Sequence, residues 1–211
     1  ASYNIPTRPS MYKNLKIKKK IIKDFVIDVR DYSSLKKIVY SVQPDVIFYL
    51  AAQSLVHKSY KLPRETFLTN IVGAINFFEI LKDYKKKCIS IFVTSDKCYK
   101  NKEIIRGYTE FDELGGIDPY SSSKASAEII FNSYYNSFLK KNKNILIASA
   151  RAGNVIGGGD WSDNRIIPDC IRSWIKNEAV KIRNKNATRP WQHVLEPLHG
   201  YMTLVEKLYS N

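Results

Sequence analysis

The sequence contains no run of about 18 consecutive apolar residues, so it offers no transmembrane helix. Its opening, ASYNIPTRPSMYKN, lacks the charged-then-apolar order of a secretory leader. It does not begin with Met, so a trimmed or partial chain is expected. Cysteine is scarce: Cys88, Cys98 and Cys170 are an odd, scattered set that forms neither a CxxC metal pair nor a disulfide framework. A reducing cytoplasm is the default compartment for such a set. His57, His193 and His199 have no metal-ligand spacing, and no metal is expected. Zinc-finger spacing, RNP-like aromatic motifs, internal repeats and low-complexity linkers are all missing.

Acidic residues are few. Against 34 Lys and Arg stand 20 Asp and Glu, for a formal net charge of +14. A basic balance suits nucleic acid, anionic lipid or small phosphates. Much of the excess lies in short runs, Lys18–Lys20 and Lys85–Lys87, which read as a solvated lysine-rich surface. Charge without a recognition motif is a weak argument for a nucleic-acid module, so neither nucleic acid nor membrane is expected as a partner. The length of 211 residues with 44% hydrophobic content suits one globular domain, or one plus part of another.

The apolar pattern is that of alternating strands and helices. Lys23–Val29 (KDFVIDV) is apolar and β-branched and predicts a strand. Ser33–Val42 has helical spacing, with Leu35, Ile38, Val39 and Val42 on one side. Asp45–Leu50 is a short continuous apolar run, which predicts a strand buried on both faces. Pro63–Tyr84 reads as a long helix with Pro63 in its first turn, and Ile89–Ser95 as a second buried strand. Tyr120–Lys141 is a further long helix and Ile145–Arg151 a further strand. The loop Gly157–Gly159 precedes a helix around Arg165–Lys176, and another helix is expected over Pro197–Tyr209. Such alternation argues for an α/β fold with a doubly wound parallel sheet, in which ligands sit beyond the carboxyl ends of the strands. Polar residues fall at those ends: Asp28 and Arg30, then Ala51-Ala52-Gln53, then Ser95-Asp96-Lys97, then Asn154.

Tyr120 and Lys124 lie one helical turn apart, so their side chains share a face. An ammonium beside a phenol favours the phenolate and should lower its pKa. A tyrosine poised in this way can take a proton from an alcohol while hydride leaves the same carbon. YxxxK alone arises by chance in many helices, and a surface Tyr with a Lys neighbour is the bland alternative. Here it opens a helix after Pro119, beyond a buried strand and a long loop, and that setting favours chemistry.

Larger segments carry a resemblance. TSDKCY (Thr94–Tyr99), DPYSSSK (Asp118–Lys124), ARAGNVIGGGDW (Ala150–Trp161) and RPWQHVLEPL (Arg189–Leu198) resemble the extended short-chain dehydrogenase/reductase, or NAD-dependent epimerase/dehydratase, family. LAAQSLV (Leu50–Val56) and TNIVGAINFFE (Thr69–Glu79) fit the same family. Within it the pattern is most similar to the 4,6-dehydratases that act on CDP-glucose. The likeness runs from Asp28 to the end of the chain.

That resemblance implies a Rossmann-type fold and NAD as cofactor. It also implies a reaction that oxidises carbon 4 of the glucose unit, eliminates water across carbons 5 and 6, and returns hydride to carbon 6. The product is CDP-4-keto-6-deoxyglucose, an intermediate of deoxysugar biosynthesis for lipopolysaccharide O-antigen. Tyr120 fits the base for the 4-hydroxyl, Ser95 its hydrogen-bond partner, and Lys124 the holder of the nicotinamide ribose. Asp96 fits the acid for the leaving hydroxyl, or else a cap of the turn after its strand. Related dTDP-glucose dehydratases have Glu at the position of Lys97, and Lys97 is assigned to proton handling at carbon 5, or else is a solvated charge. The same resemblance implies Asp28 and the backbone of Val29 at the adenine, Ala51 and Ala52 as small residues under the dinucleotide, and Gln53 reaching towards cofactor or sugar. Arg189 matches the diphosphate-binding arginine, and Asn154, Arg165 and Arg183 are further substrate candidates. Trp161 and Trp191 wall the nucleotide pocket or pack in the core. Cys98 reads as a small packing residue, and His193 as a residue that orients a neighbour. A homo-oligomer, dimer or tetramer, is expected through the two long helices. An epimerase or a dehydratase for another nucleotide is the nearest alternative, but an epimerase has no use for an acid–base pair that removes water.

The family's glycine fingerprint, GxxGxxG, is not found upstream of Asp28. The expected organisation is therefore a partial NAD-binding domain over 1–151 and a partial substrate-binding region over 152–211. An isolated chain of this kind is expected to bind NAD weakly or not at all.

Overall fold

A computed structural model describes residues 7–210; the first residues of the opening segment lie outside it. A short helix α1 (Met11–Asn14) leads to α2 (Tyr32–Val42), capped by the Asp31 carboxylate on the Ser34 N–H at 3.0 Å. The strand β1 (Val46–Tyr49) is followed by α3 (Val56–Lys61) and by a long helix in three pieces: α4 (Pro63–Phe67), a π turn (Leu68–Val72) and α5 (Gly73–Asp83). Next come β2 (Cys88–Val93), the long helix α6 (Pro119–Ser137) and β3 (Ile145–Ala150). The chain continues through β4 (Asn154–Ile156), α7 (Ile166–Ile175), β5 (Trp191–His193) and α8 (Leu195–Ser210).

β1, β2 and β3 form a parallel sheet in that order, with Ile91 of β2 opposite Phe48 on one side and Ala148 on the other. β4 and β5 form a separate parallel pair. Parallel neighbours need long crossovers, and the helices between these strands supply them. The expected α/β fold with parallel strands is therefore borne out.

The core is aromatic. Tyr49 stacks on Phe77 at 4.5 Å between centroids, Phe78 meets Phe92 at 4.8 Å, and Phe92 reaches Phe131 of α6 at 6.1 Å. α5 and α6 thus close over one face of the central strand β2, which is buried along nearly its whole length. The side chain of Val29 abuts Gly73, where an added Cβ would lie 2.8 Å from Val29 Cγ2 and 2.9 Å from the Tyr49 hydroxyl. Only glycine admits that approach without a shift.

Two expectations need correction. Lys23–Val29 is not a strand: it has no ladder partner among the described residues, Val29 already lies in a turn, and Phe25 and Val26 are exposed. β-propensity is realised only beside a neighbouring strand, and among the described residues this segment has none; Val29, at its end, is the part that packs on the core. β1 is not buried on both faces, since Val46 and Phe48 point to the open side of the edge strand while Tyr49 faces the core. The short strands β4 and β5 and the helix α3 were not expected. The long helix from Pro63 carries the unanticipated π turn, and the Tyr120–Lys141 helix ends at Ser137 with a separate 3₁₀ turn over Leu139–Lys141.

Candidate active site

The site begins where β2 ends. Past Val93 the chain continues the ladder, with Thr94 N–H donating to the Ala150 carbonyl at 2.8 Å and Asp96 N–H to the Ala152 carbonyl at 3.0 Å. Asp96–Cys98 then forms a 3₁₀ turn capped by Ser95, whose Oγ accepts from the Lys97 N–H at 3.2 Å. Ser95, Asp96 and Lys97 are thereby held at the carboxyl end of the sheet, where ligands of parallel sheets bind.

α6 brings the second half of the site. The Asp118 carboxylate caps its first turn, accepting from Tyr120 N–H and Ser121 N–H, both at 3.0 Å, with Pro119 at the first helical position. Gly116 lets the incoming loop lie against that turn: an added Cβ would fall 2.4 Å from the Ser121 carbonyl carbon. The buried face of α6 carries Tyr120, Lys124, Glu128 and Phe131 in helical register. A face with so many polar residues needs a reason beyond packing.

Ser95 hydrogen-bonds both sides of the site. Its Oγ donates to Asp96 Oδ1 at 3.1 Å and also lies in hydrogen-bond contact with the Tyr120 phenol. Asp96 Oδ2 accepts from Lys97 Nζ at 3.2 Å. A proton moving between those two side chains crosses a single hydrogen bond. Tyr120 titrates above its ordinary value because burial outweighs the Ser95 hydrogen bond that lowers it. The expected lowering by Lys124 is thus overturned in this structure: desolvation of the phenolate wins. Burial pulls the Lys124 ammonium down to about 8, against the field of Glu128, and Lys124 Nζ donates to the Val93 carbonyl at 3.5 Å.

These residues open onto a cleft of about 750 Å³. Its walls bring together Ser95, Asp96, Lys97, Tyr120, Asn154, Arg165, Arg183 and Arg189, drawn from sequence-distant segments. Arg183 is braced by Asn164 at 3.0 Å and Asp169 at 3.3 Å, and Arg165 pairs with Asp160 at 3.3 Å. Arg189 forms no ion pair among the described residues and donates only to the Thr188 carbonyl at 2.6 Å. Trp191 and His57 also face the cleft; Trp161 does not line it, and its carbonyl accepts from Arg172 at 3.0 Å. His193 Nδ1 accepts from the Leu195 N–H at 3.3 Å, so it orients the start of α8 as expected. Cys98 is fully buried, as its packing role requires.

Of the residues expected at a cofactor, Tyr120 lines this cleft, whereas Asp28, Val29, Ala51, Ala52, Gln53 and Lys124 are not among its walls. Asp28 is held by the Arg30 guanidinium, which keeps its carboxyl below the usual range. The carbonyls of Val29 and Arg30 accept from Asn76 Nδ2 at 2.9 and 3.0 Å. Ala51 and Ala52 are half-buried beyond β1. Gln53 does not reach outward. It is buried, its amide donates to Thr66 at 2.9 Å and Leu55 at 3.1 Å, and its Oε1 accepts from Leu55 N–H at 2.7 Å. Satisfying a buried amide internally is the favourable outcome, and it shapes the 51–55 loop rather than offering a ligand group.

Several residues were missed by sequence reasoning. Asn70 sits in the π turn and joins Gln53 to Ser123 of α6. Thr94 and Arg151 both contact the fully buried Glu128. The cap at Asp118 had a readable signal, Asp-Pro before the helix. Glu128 had none, since a glutamate inside a helix ordinarily faces water.

The CDP-glucose 4,6-dehydratase of Salmonella typhimurium is 42% identical over 209 residues, covering 97% of this chain and 58% of that enzyme. The UDP-glucose 4-epimerase of Mycoplasma genitalium is 26% identical over 89% of this chain and 56% of its own length. The chain therefore spans a little over half the length of these relatives. Among solved structures, a DesIV double mutant (dTDP-glucose 4,6-dehydratase) from Streptomyces venezuelae with NAD and DAU bound superposes with a TM-score of 0.77 at 21% identity, over 95% of this chain and 58% of that one. The UDP-glucuronic acid 4-epimerase from Bacillus cereus, in complex with UDP-glucuronic acid and NAD, gives 0.79 at 19% identity, over 92% of this chain and 60% of that one. Both show the Rossmann-type fold. Because the profile of the GDP-mannose 4,6 dehydratase family matches residues 2–210, the chain belongs to that family.

Proposed function

We propose that this protein acts as an NAD-dependent nucleotide-sugar 4,6-dehydratase and that its substrate is CDP-glucose. The observation that carries the reading is the contact of Asp96 with Lys97 at 3.2 Å, beside Ser95 and Tyr120, in a cleft lined by arginines. An epimerase needs the tyrosine and lysine but no acid–base pair for removing water. The relative from Salmonella supports CDP-glucose over other nucleotide sugars.

The residues present fit a dinucleotide. Lys124 is a buried cation beside Tyr120, Ala51 and Ala52 are small residues that leave the backbone open to close approach, and Val29, next to Asp28, packs at Gly73 near the Tyr49 hydroxyl at the end of β1. When bound, NAD supplies reversible hydride acceptance. The rest is the work of the side chains. Tyr120, hydrogen-bonded through Ser95, takes the proton of the 4-hydroxyl. Lys124 holds the ribose and steadies the charge on Tyr120. Once carbon 4 is a ketone, the proton on carbon 5 is acidic, and Lys97 handles it while Asp96 protonates the departing hydroxyl of carbon 6. Arg189 takes the diphosphate, with Arg183, Arg165 and Asn154 completing the substrate wall. Residues 1–151 form the cofactor part and 152–211 the substrate part, and the cleft draws on both. We place the protein in the cytoplasm as a homo-oligomer that supplies a deoxysugar for lipopolysaccharide O-antigen. Nucleic acid and membranes are not among its partners. No helix among the described residues is long and apolar enough to cross a membrane.

The test is incubation of the full-length protein with CDP-glucose and NAD, followed in alkali by the ultraviolet absorbance of the 4-keto product. Turnover of CDP-glucose ahead of the UDP, dTDP and GDP sugars is expected. Interconversion of sugar epimers without loss of water would overturn the assignment.

A further inference from the structure

Below Tyr120 and Lys124, α6 buries a third polar residue that the reaction above does not use. Glu128 lies one helical turn beyond Lys124 and has no exposed surface. Its carboxylate accepts from Arg151 Nη2 at 2.7 Å and from Ser149 Oγ at 3.3 Å, and the Thr94 hydroxyl donates to the other oxygen. Thr94 directly precedes Ser95. Arg151 is also held from outside: its guanidinium lies 4.9 Å from the centre of the Tyr99 ring and donates to the Glu110 carbonyl at 3.4 Å.

A buried ion pair is expensive to desolvate, and apolar residues of similar volume would often pack as stably. A charge kept in such a place calls for something to act on. Lys124 is that group. It is itself buried, sits on the same face of α6, and forms no ion pair with any carboxylate among the described residues. Among the described residues, its side chain hydrogen-bonds the Val93 carbonyl.

We propose that Glu128 is a positioning residue, whose carboxylate, fixed by Arg151, Thr94 and Ser149, is the counter-charge that keeps Lys124 protonated beside Tyr120. The inference rests on the reading of Tyr120 and Lys124 as the working pair. Desolvation alone favours the neutral amine, and Glu128 opposes it. The other groups facing this region do not replace it. The Cys98 thiol is pushed up to about 12 by burial and stays uncharged. The Asp96 carboxylate is engaged by Lys97 and Ser95 on the cleft side. Arg151 bears the same sign as Lys124, so its part is to hold the carboxylate in place. Without Glu128, desolvation acts on Lys124 with less opposition, a smaller share of it is charged at neutral pH, and a neutral amine gives a tyrosinate no electrostatic support.

The test needs neither substrate nor NAD, so it stands apart from the dehydratase assignment. Lysine carrying 13C at Cε is incorporated into the 211-residue chain. The Lys124 resonance, identified by its loss in Lys124→Met, is titrated by NMR. The wild-type midpoint is expected at about 8. Glu128→Gln should lower it by about one unit or more. A merely loosened core would hydrate Lys124 and raise the midpoint instead, so an unmoved or raised value overturns the proposal. Should Glu128→Gln fail to fold, Glu128→Asp decides: it keeps the charge but draws the carboxylate back by one methylene, so the Lys124 midpoint should still fall. A Lys124 midpoint that does not fall in that variant overturns the proposal.

Discussion

Asn70 donates to Ser123 Oγ at 2.8 Å, and this single hydrogen bond fastens the π turn of the long helix to the opening of α6. The same side chain exchanges two hydrogen bonds with the backbone of Gln53, at 2.8 and 3.1 Å. One buried amide thus joins the loop after β1 to the helix that carries Tyr120. Asn70→Leu should leave the Gln53 N–H and carbonyl unpaired in the interior and cost about 2–4 kcal/mol. Urea denaturation of the variant against the parent measures it; a loss below about 0.5 kcal/mol would show that water can replace the amide.

The cap at Asp118 makes a smaller, local prediction. Asp118→Ala removes an acceptor from two N–H groups and should destabilise the chain by about 1 kcal/mol. Because the first turn of α6 places Tyr120, kcat should fall more than the stability loss alone accounts for, with KM for the sugar nucleotide little changed. Thermal melts and steady-state kinetics on the same preparation separate the two effects.

Asp96 and Lys97 should fail in different ways. With Lys97→Met, exchange of the carbon 5 proton with deuterium from solvent should stop. With Asp96→Asn, exchange should persist while product formation drops by about 10²-fold or more. Mass spectrometry of the recovered sugar in D₂O decides between them, and equal exchange in both variants would reverse or dissolve the assignment.

Lys124 makes stability depend on alkaline pH. Burial lowers its pKa from 10.5 to about 8 in the folded chain. Between those values the unfolded chain binds more protons than the folded one, so stability rises with pH across that window. Below about 8 the charged, buried lysine is a penalty on the order of 3 kcal/mol, removed as pH climbs towards 10.5. Lys124→Met lacks this term. The stability gap between Lys124→Met and the parent should therefore narrow from pH 7.5 to 9.5 in urea titrations, and a constant gap would refute the assignment.

Much of this site is local in the chain, and what is local could be read. Tyr120 and Lys124 are set by helical spacing, the helix start by Asp118-Pro119, and β2 and β3 by continuous apolar runs buried between neighbours. What failed depends on partners far away in sequence. Lys23–Val29 has the composition of a strand but no ladder to join among the described residues. The open face of β1 could not be told from a buried one, because edge and centre strands differ only in their neighbours. Gln53 could not be assigned to the interior without Thr66 and Asn70, which surround it. Glu128 became visible only once Thr94 and Arg151, which lie on other elements, were brought to it.

The ladder between β2 and β3 has one more consequence, for which kinds of change this chain can absorb. Val93 pairs with Ala150, and Thr94 and Asp96 extend the same register into the site. In a strand, successive side chains alternate between faces, so a single inserted or deleted residue swaps the two sets. An insertion between Cys88 and Thr94 would move the Ser95, Asp96 and Lys97 side chains away from Tyr120 without altering any of them. Point substitutions at Lys97 can retune the chemistry while the scaffold stands. Length changes in β2 cannot, so divergence among functional relatives should be confined to replacements there, with insertions falling in stretches such as 101–111, which is mostly exposed.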